Sequence, residues 1–492
     1  MRIEFAHPLC FNLIMDSTFK NPHPLLLGGR WKETAQTAEV INPFSGEAVA
    51  KVCQAGAADL EEAIAQAGKS RPVLAALASY KRAEILERVS EGIYARREEL
   101  ARAVTSENGK PLVESRAEAE RASLTFRIAS EEAVRIGGEF IPLDRNRASE
   151  GRWGITRRFP AGPVLGITPF NFPLNLVAHK IAPAVAAGNP IILKPASKTP
   201  ISALLLGGVM MESGLPEGCL SVLPASAKTI GPAVTDARIK VLSFTGSAAV
   251  GWGLKKLAFD KKVILELGGN AGVLLDEDCD LKYAAGRAVA GAFSYAGQVC
   301  ISVQRIYAHR RIYDAFLELF VPKVKALKMG DPMDETVQIG PMIDEDNLER
   351  VASWVDEALA AGAKLVAGGK RSGRFYEPTV IVDATPQMKL SCMEVFAPVV
   401  TVTPVESFDE GIRAINDSVY GLQAGVFTGS LKRAFQAFEA IEAGGVIIND
   451  VPTYRVDHMP YGGVKQSGSG REGIRYAVEE MTEPRLMALN LI

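Results

Sequence analysis

The chain has 492 residues, 47% of them hydrophobic and 23% charged, and a formal net charge of -2. That length exceeds what one hydrophobic core fills, so two or more domains are expected. Near-zero charge removes the electrostatic case for nucleic acid or an anionic membrane as partner, and no apolar run is long enough to span a bilayer.

Residues 1–20 hold a short apolar stretch around Leu13, Ile14 and Met15. It is interrupted by Asn12 and has no clear small-residue cleavage site. It reads as an N-terminal extension, or as sequence before a start at Met15, rather than as a signal peptide. The 6 cysteines form no C-x-x-C pair, and the 5 histidines make no metal-ligand spacing with them. Neither a zinc site nor a disulfide framework is expected, and no metal. Such cysteine usage is that of a reduced, cytoplasmic protein.

Helical periodicity is expected over 57–66 and over 80–106, where Leu86, Val89, Ile93 and Leu100 keep the spacing. A further helix over 116–136 ends at Gly137-Gly138. Residues 143–158 are polar and alternating. With the final run from Thr482 they form an expected two-stranded arm.

From Pro163 the pattern changes. Short β-branched runs at 164–167, 191–193, 220–223, 241–244 and 263–265 alternate with segments long enough for crossover helices. This is the signature of βαβ units and a parallel sheet, which binds ligands at the carboxyl ends of its strands. A second series follows, with strands at 273–275, 303–307, 425–427 and 446–448. Helices are expected at 312–327, 344–361 and 409–416. The fold class is therefore α/β, with two parallel-sheet domains and a small β arm for oligomerisation. The expected division is 1–142 with 160–267, a Rossmann-like cofactor domain; 268–470, a catalytic domain; and 143–159 with 471–492, the arm and C-terminal segment.

Four motifs carry chemistry. Thr168-Pro169-Phe170-Asn171-Phe172-Pro173 follows a strand and precedes a helix. Asn171 there is either a turn asparagine or a rigid amide donor able to hold an oxyanion. Lys194-Pro195-Ala196-Ser197 ends the next strand, where a cofactor ribose or phosphate would lie. Phe244-Thr245-Gly246-Ser247 opens a helix whose first N–H groups suit a pyrophosphate, unless Ser247 is a plain N-cap. The fourth is a pair. Cys300 sits on a small-residue turn, Gly297-Gln298-Val299-Cys300, and Glu266 ends an apolar run before Leu267-Gly268-Gly269-Asn270. One thiol and one carboxylate are what thioester catalysis needs, a nucleophile and a base to activate water. Gly468-Ser469-Gly470-Arg471-Glu472-Gly473 matches G-x-G-x-x-G, but no apolar strand precedes it and no βαβ unit fits after it. It is read as a loop before a last helix.

These motifs, with Glu394-Val395-Phe396-Ala397-Pro398 and Pro460-Tyr461-Gly462-Gly463, occur in one order. In that order the chain resembles the NAD(P)-dependent aldehyde dehydrogenase superfamily from about Leu25 onward. The resemblance implies that Cys300 is the nucleophile, that Asn171 holds the oxyanion and that Glu266 activates the hydrolytic water. It implies cofactor contacts by Thr168, Pro169, Phe170, Lys194, Ser197, Gly246, Ser247, Leu267, Gly268, Glu394 and Phe396. Many NAD-using members carry Glu where this chain has Ser197, so NADP is favoured, with NAD as the alternative. The aldehyde tunnel is expected to hold Arg121, Phe172, Leu176, His179 and Arg455, and three cations there suit an anionic aldehyde. Semialdehydes, phosphorylated aldehydes and hydroxyaldehydes such as lactaldehyde are the classes implied, unless Arg121 and Arg455 answer internal carboxylates. A homodimer or homotetramer is implied. A coenzyme A-acylating member would usually lack Glu266, and a non-catalytic relative would have lost Cys300.

Overall fold

The structure is a computed structural model and describes residues 22–491. The N-terminal expectations, including the choice between Met1 and Met15, lie outside the described residues.

Two sheets organise the molecule. The first has eight strands. Its centre is five parallel strands in the order Lys262–Glu266, Val241–Thr245, Val164–Ile167, Ile191–Lys194, Leu220–Val222. Their residues are mostly buried, which is why the sequence shows unbroken apolar runs rather than alternation. Antiparallel strands close both edges: Leu25–Leu27 with Arg30–Lys32 on one side, and Gly468–Ser469 on the other. The second sheet has seven strands, with Val303–His309 and Ala271–Leu275 at its middle. All its pairings are parallel except that of the outer strand Lys364–Ala367.

The structure differs from the sequence reading at several points. The expected long helix at 80–106 is two helices, Ser79–Ala95 and Arg97–Asn108, because Arg96 leaves helical geometry at φ -107°, ψ 17°. The first helix runs on to Ala76, because buried Ala67 and Leu74 continue its apolar face past Gln66. The strands Thr379–Val382 and Val399–Val405 went unseen. The arm has three strands, Phe140–Pro142, Arg152–Pro160 and Thr482–Asn490, with nine paired positions between the last two. The glycine-rich stretch at 468–473 is not only a loop. Its first two residues form the edge strand against Glu266, and a helix, Ile474–Glu480, follows.

Candidate active site

Glu266 is the last residue of its parallel strand and is buried. Cys300 comes after the helix Leu281–Phe293 and a tight turn, Ser294–Gly297. Three consecutive residues of that turn have positive φ: Tyr295 at 46°, Ala296 at 50° and Gly297 at 68°. Backbone held in this region by surrounding structure is typical of functional sites. The hold is visible: the Tyr295 hydroxyl donates to Asn108 O at 2.9 Å, and its N–H donates to Glu114 Oε1 at 3.1 Å.

A cavity of about 770 Å³ joins the two motifs. Cys300, Glu266 and Asn171 all line it. Asn171 Nδ2 donates to Gln298 O at 3.1 Å, so the amide is tied to the loop of Cys300 and keeps one N–H to give. Buried polar atoms in folded proteins are nearly always hydrogen-bonded. Here Asn171 Oδ1, both carboxylate oxygens of Glu266 and Thr168 Oγ1 have no hydrogen-bond partner among the described residues. Such a concentration marks a place for water and ligand.

Cys300 Sγ lies 3.1 Å from Tyr461 Oη. Burial pushes the thiol up to about 11, against the pull of the Tyr461 hydroxyl and the Arg455 charge. Burial also drives Glu266 well above the ordinary carboxylate range, and the neighbouring Glu472 adds to this. Glu472 itself is lowered: burial opposes its charge, but Lys180 and Arg455 outweigh it. Of this pair, the site favours the charge on Glu472 and disfavours it on Glu266.

The other half of the cavity is lined by Gly246, Ser247, Leu267, Gly268, Glu394 and Phe396, with Pro169 and Phe170. Ser247 is the N-cap residue of the helix Ala248–Leu257, yet its side chain makes no capping hydrogen bond. The first-turn N–H groups are therefore left for a ligand. Glu394 accepts from Gly269 N–H at 3.0 Å, and burial raises its carboxyl to about 7. Phe396 packs edge-on against Phe170 at 5.8 Å. An uncapped helix end and a held carboxylate fit a dinucleotide. Thr168, Lys194 and Ser197 are not among the residues lining the cavity. Lys194 Nζ donates to Pro195 O at 3.0 Å and approaches Ser197 Oγ at 3.5 Å.

Of the residues expected at an aldehyde, Arg121, Phe172, Leu176 and Arg455 line the cavity, and His179 does not. His179 is buried with Nε2 2.9 Å from Asp457 Oδ1. Burial and the Arg455 charge lower its pKa despite Asp457, so it is not the cation the sequence suggested. The two arginines do answer internal carboxylates. Arg121 binds Asp457 with Nη2 at 2.7 Å and Nε at 3.3 Å, and Arg455 Nη2 binds Glu472 at 3.1 Å. Each keeps donors beyond these bonds, and Arg455 Nε is buried without a partner among the described residues. Arg287 also lines the cavity, bonded through Nε to Asp450 at 2.6 Å. Sequence reasoning missed Arg287, Glu472 and Lys180. Glu472 was in view inside the rejected glycine motif; Arg287 and Lys180 carry no local signal.

Two parallel-containing sheets, with a part-buried cysteine and a strand-end glutamate on one cavity, define an α/β enzyme. Comparison with known proteins fixes which one. The chain belongs to the aldehyde dehydrogenase family, whose model matches residues 31–487, and is an oxidoreductase acting on aldehydes. It is 46% identical over 468 residues to the 3-sulfolactaldehyde dehydrogenase of Priestia aryabhattai, covering 95% of this chain and 98% of that protein. The structure of aldehyde dehydrogenase 21 from Physcomitrella patens, in complex with the reaction product succinate, is 44% identical. Its TM-score is 0.94, over 96% of this chain and 99% of that one. The glyceraldehyde-3-phosphate dehydrogenase of Methanocaldococcus jannaschii, complexed with NADP, is 38% identical with a TM-score of 0.89, over 93% of this chain and 100% of that one.

Proposed function

We propose that this enzyme oxidises a small anionic aldehyde to the free carboxylic acid, with NADP favoured over NAD, through a thioester on Cys300. The observation that carries the reading is one cavity lined by Cys300, Asn171 and a Glu266 whose two carboxylate oxygens are free. Cys300 as thiolate adds to the aldehyde carbon. The N–H that Asn171 does not give to Gln298 receives the oxyanion. A bound nicotinamide would supply the hydride acceptor. Gly246, Ser247 and Glu394 would hold the cofactor, and Phe396 would pack beside it. Lys194, with no carboxylate at Ser197, would favour the additional phosphate of NADP. Glu266 then takes a proton from water, which cleaves the acyl–sulfur bond.

The preference for an anionic aldehyde rests on Arg121, Arg287 and Arg455 in the cavity wall. It agrees with the named relatives, whose substrates or product carry a sulfonate, a carboxylate or a phosphate. Hydroxyaldehydes such as lactaldehyde belong to the same size class. Kinetics of Arg455→Ala on anionic and neutral aldehydes of equal length test this, with both cofactors. Because Arg455 also favours the Cys300 thiolate, some loss on both is expected, with a larger loss on the anionic substrates; equal losses on both would sink the anion reading.

The arm leaves Leu486, Met487 and Phe140 more than half exposed. An apolar face of this kind supports a homodimer or homotetramer. No helix among the described residues is long and apolar enough to cross a membrane. A cytoplasmic location is our reading of the cysteine usage.

A further inference from the structure

Tyr461 entered the sequence reading only as part of a Pro-Tyr-Gly-Gly motif. In the structure it is 2% exposed, and it is pinned to the segment opposite by a two-way backbone bridge with Glu472, at 3.0 and 2.6 Å. Its hydroxyl is therefore delivered to one place, 3.1 Å from Cys300 Sγ. A buried phenol needs a hydrogen-bond partner, and the thiol sulfur is the one it has among the described residues. A neutral thiol is a poor acceptor, whereas a thiolate makes the shorter and stronger charge-assisted bond.

A second group works in the same direction. The Arg455 guanidinium stands over the Tyr461 ring, 3.6 Å from its centroid. Arg455 is in turn fixed by Glu472. The ring is thus held on one side by a buried cation, and its hydroxyl points to the reacting atom on the other.

We infer that Tyr461 is a catalytic residue: its hydroxyl donates to Cys300 Sγ and stabilises the thiolate that attacks the aldehyde. The inference rests on Cys300 being the nucleophile. The step is an ionisation. The S–H bond of Cys300 breaks, the electron pair stays on sulfur, and the proton leaves to water in the cavity. Tyr461 keeps its own proton throughout. When sulfur bonds to the aldehyde carbon its charge is lost, and the Tyr461 bond weakens as the Asn171 bond to the oxyanion forms. The charged groups facing the sulfur and the ring are Arg455, Glu266, Glu394 and Glu472. Arg455 and the hydroxyl favour the thiolate; Glu266 and Glu394 oppose it. Without the hydroxyl, Arg455 would act alone against two carboxyls and the cost of burial.

The test uses the full chain without cofactor. Iodoacetamide inactivation is followed against pH, and the mass of the Cys300 peptide confirms the site. Tyr461→Phe keeps the ring under Arg455 and removes only the oxygen. It should raise the alkylation midpoint by about one unit, slowing labelling about tenfold at any pH below both midpoints. kcat/KM should fall by a similar factor near neutral pH and recover as pH rises, with the melting temperature as the folding control. A purely structural tyrosine would lower stability and leave the midpoint in place, which overturns the inference. Should Tyr461→Phe not fold, 3-fluorotyrosine incorporation into the wild-type chain makes the phenol a stronger donor. The midpoint should then fall; no change overturns the inference. If alkylated wild-type enzyme keeps its activity, the nucleophile assignment fails with it. If it is inactivated and Tyr461→Phe matches wild type, only the role of Tyr461 fails.

Discussion

Glu266 and Gly468 are register partners across the antiparallel edge of the first sheet. The pairing is continued just beyond Glu266: Leu267 N–H donates to Ser467 O at 3.0 Å, and Ser467 Oγ donates to Gly268 O at 2.7 Å. A glycine-rich strand therefore holds the strand end that carries the proposed base. Gly468 has φ 155°, and a Cβ there would lie 2.3 Å from Leu265 O. Gly468→Ala should destabilise the protein by about 1–3 kcal/mol, the usual cost of strained backbone. It should also slow acyl hydrolysis more than the thiol's reaction with iodoacetamide. Denaturant unfolding and the two rates check this; an unperturbed hydrolysis rate would show that the edge strand does not position Glu266.

Glu266→Gln removes the proposed base and leaves the proposed nucleophile. Mixing the variant with aldehyde and NAD(P) should give a burst of reduced cofactor of about one equivalent per active site. Turnover should then fall by about 10²- to 10⁴-fold, the usual worth of a positioned general base. An unchanged steady-state rate would refute the assignment. Cys300→Ser should show no burst at all, because a hydroxyl is a far poorer nucleophile than a thiolate near neutral pH.

How much of this was legible in the sequence depends on how local each signal is. The parallel strands of the first sheet were visible because burial on both faces writes itself as apolar runs. Cys300, Glu266 and Asn171 were visible because each sits in a motif of small or rigid residues at a strand end or tight turn. The charge pairing was not. Asp457 meets Arg121 across 336 positions and His179 across 278. No spacing rule reaches that far, so three side chains read as a cationic tunnel became one buried neutral histidine and two paired arginines. The edge strand at Gly468 was hidden for another reason. Two residues are too few for alternation, and its glycines read as a loop.

The pH profile follows from burial. Both groups proposed to react, the Cys300 thiol and the Glu266 carboxyl, are raised, so their deprotonated forms increase with pH. kcat/KM should climb between about pH 7 and 9 rather than level off, the behaviour of groups titrating above their usual range. In Glu266→Gln, alkylation of Cys300 should keep its rising limb. A flat profile in the wild type would contradict the burial of the pair.

The same burial sets a stability trend. Glu114 and Glu394 are each raised from 4.5 to about 7, burial being the largest cause in both. Between those values the folded state binds more protons than the unfolded chain, so stability falls as pH rises. The contribution is complete below the unfolded value and is lost on passing through the folded one. The melting temperature of the cofactor-free protein should therefore decline from about pH 5 to 8. Glu394→Gln should flatten part of that slope, and a melting temperature that rises over this range would overturn the account.

Lys110 ties the two halves of the site together. Its ammonium is fully buried, ion-paired with Glu118, and lies 3.7 Å from the Phe172 ring centroid and 4.9 Å from that of Tyr295. Phe172 follows Asn171, and Tyr295 begins the positive-φ residues of the turn before Cys300. Glu118 Oε1 also accepts from Leu174 N–H at 2.9 Å and Asn175 N–H at 3.1 Å, fixing the start of the helix after Asn171. One ion pair thus braces both the segment of Asn171 and the turn before Cys300. Lys110→Met matches the stem but leaves Glu118 uncompensated, which should cost about 3–5 kcal/mol of stability by denaturant unfolding. Adding Glu118→Gln removes the stranded charge while keeping an acceptor for the two N–H groups, so the double variant should be more stable than Lys110→Met alone. Its activity should stay low, because neither aromatic ring has a cation to pack against. A double variant with wild-type kcat would show that the pair serves folding only.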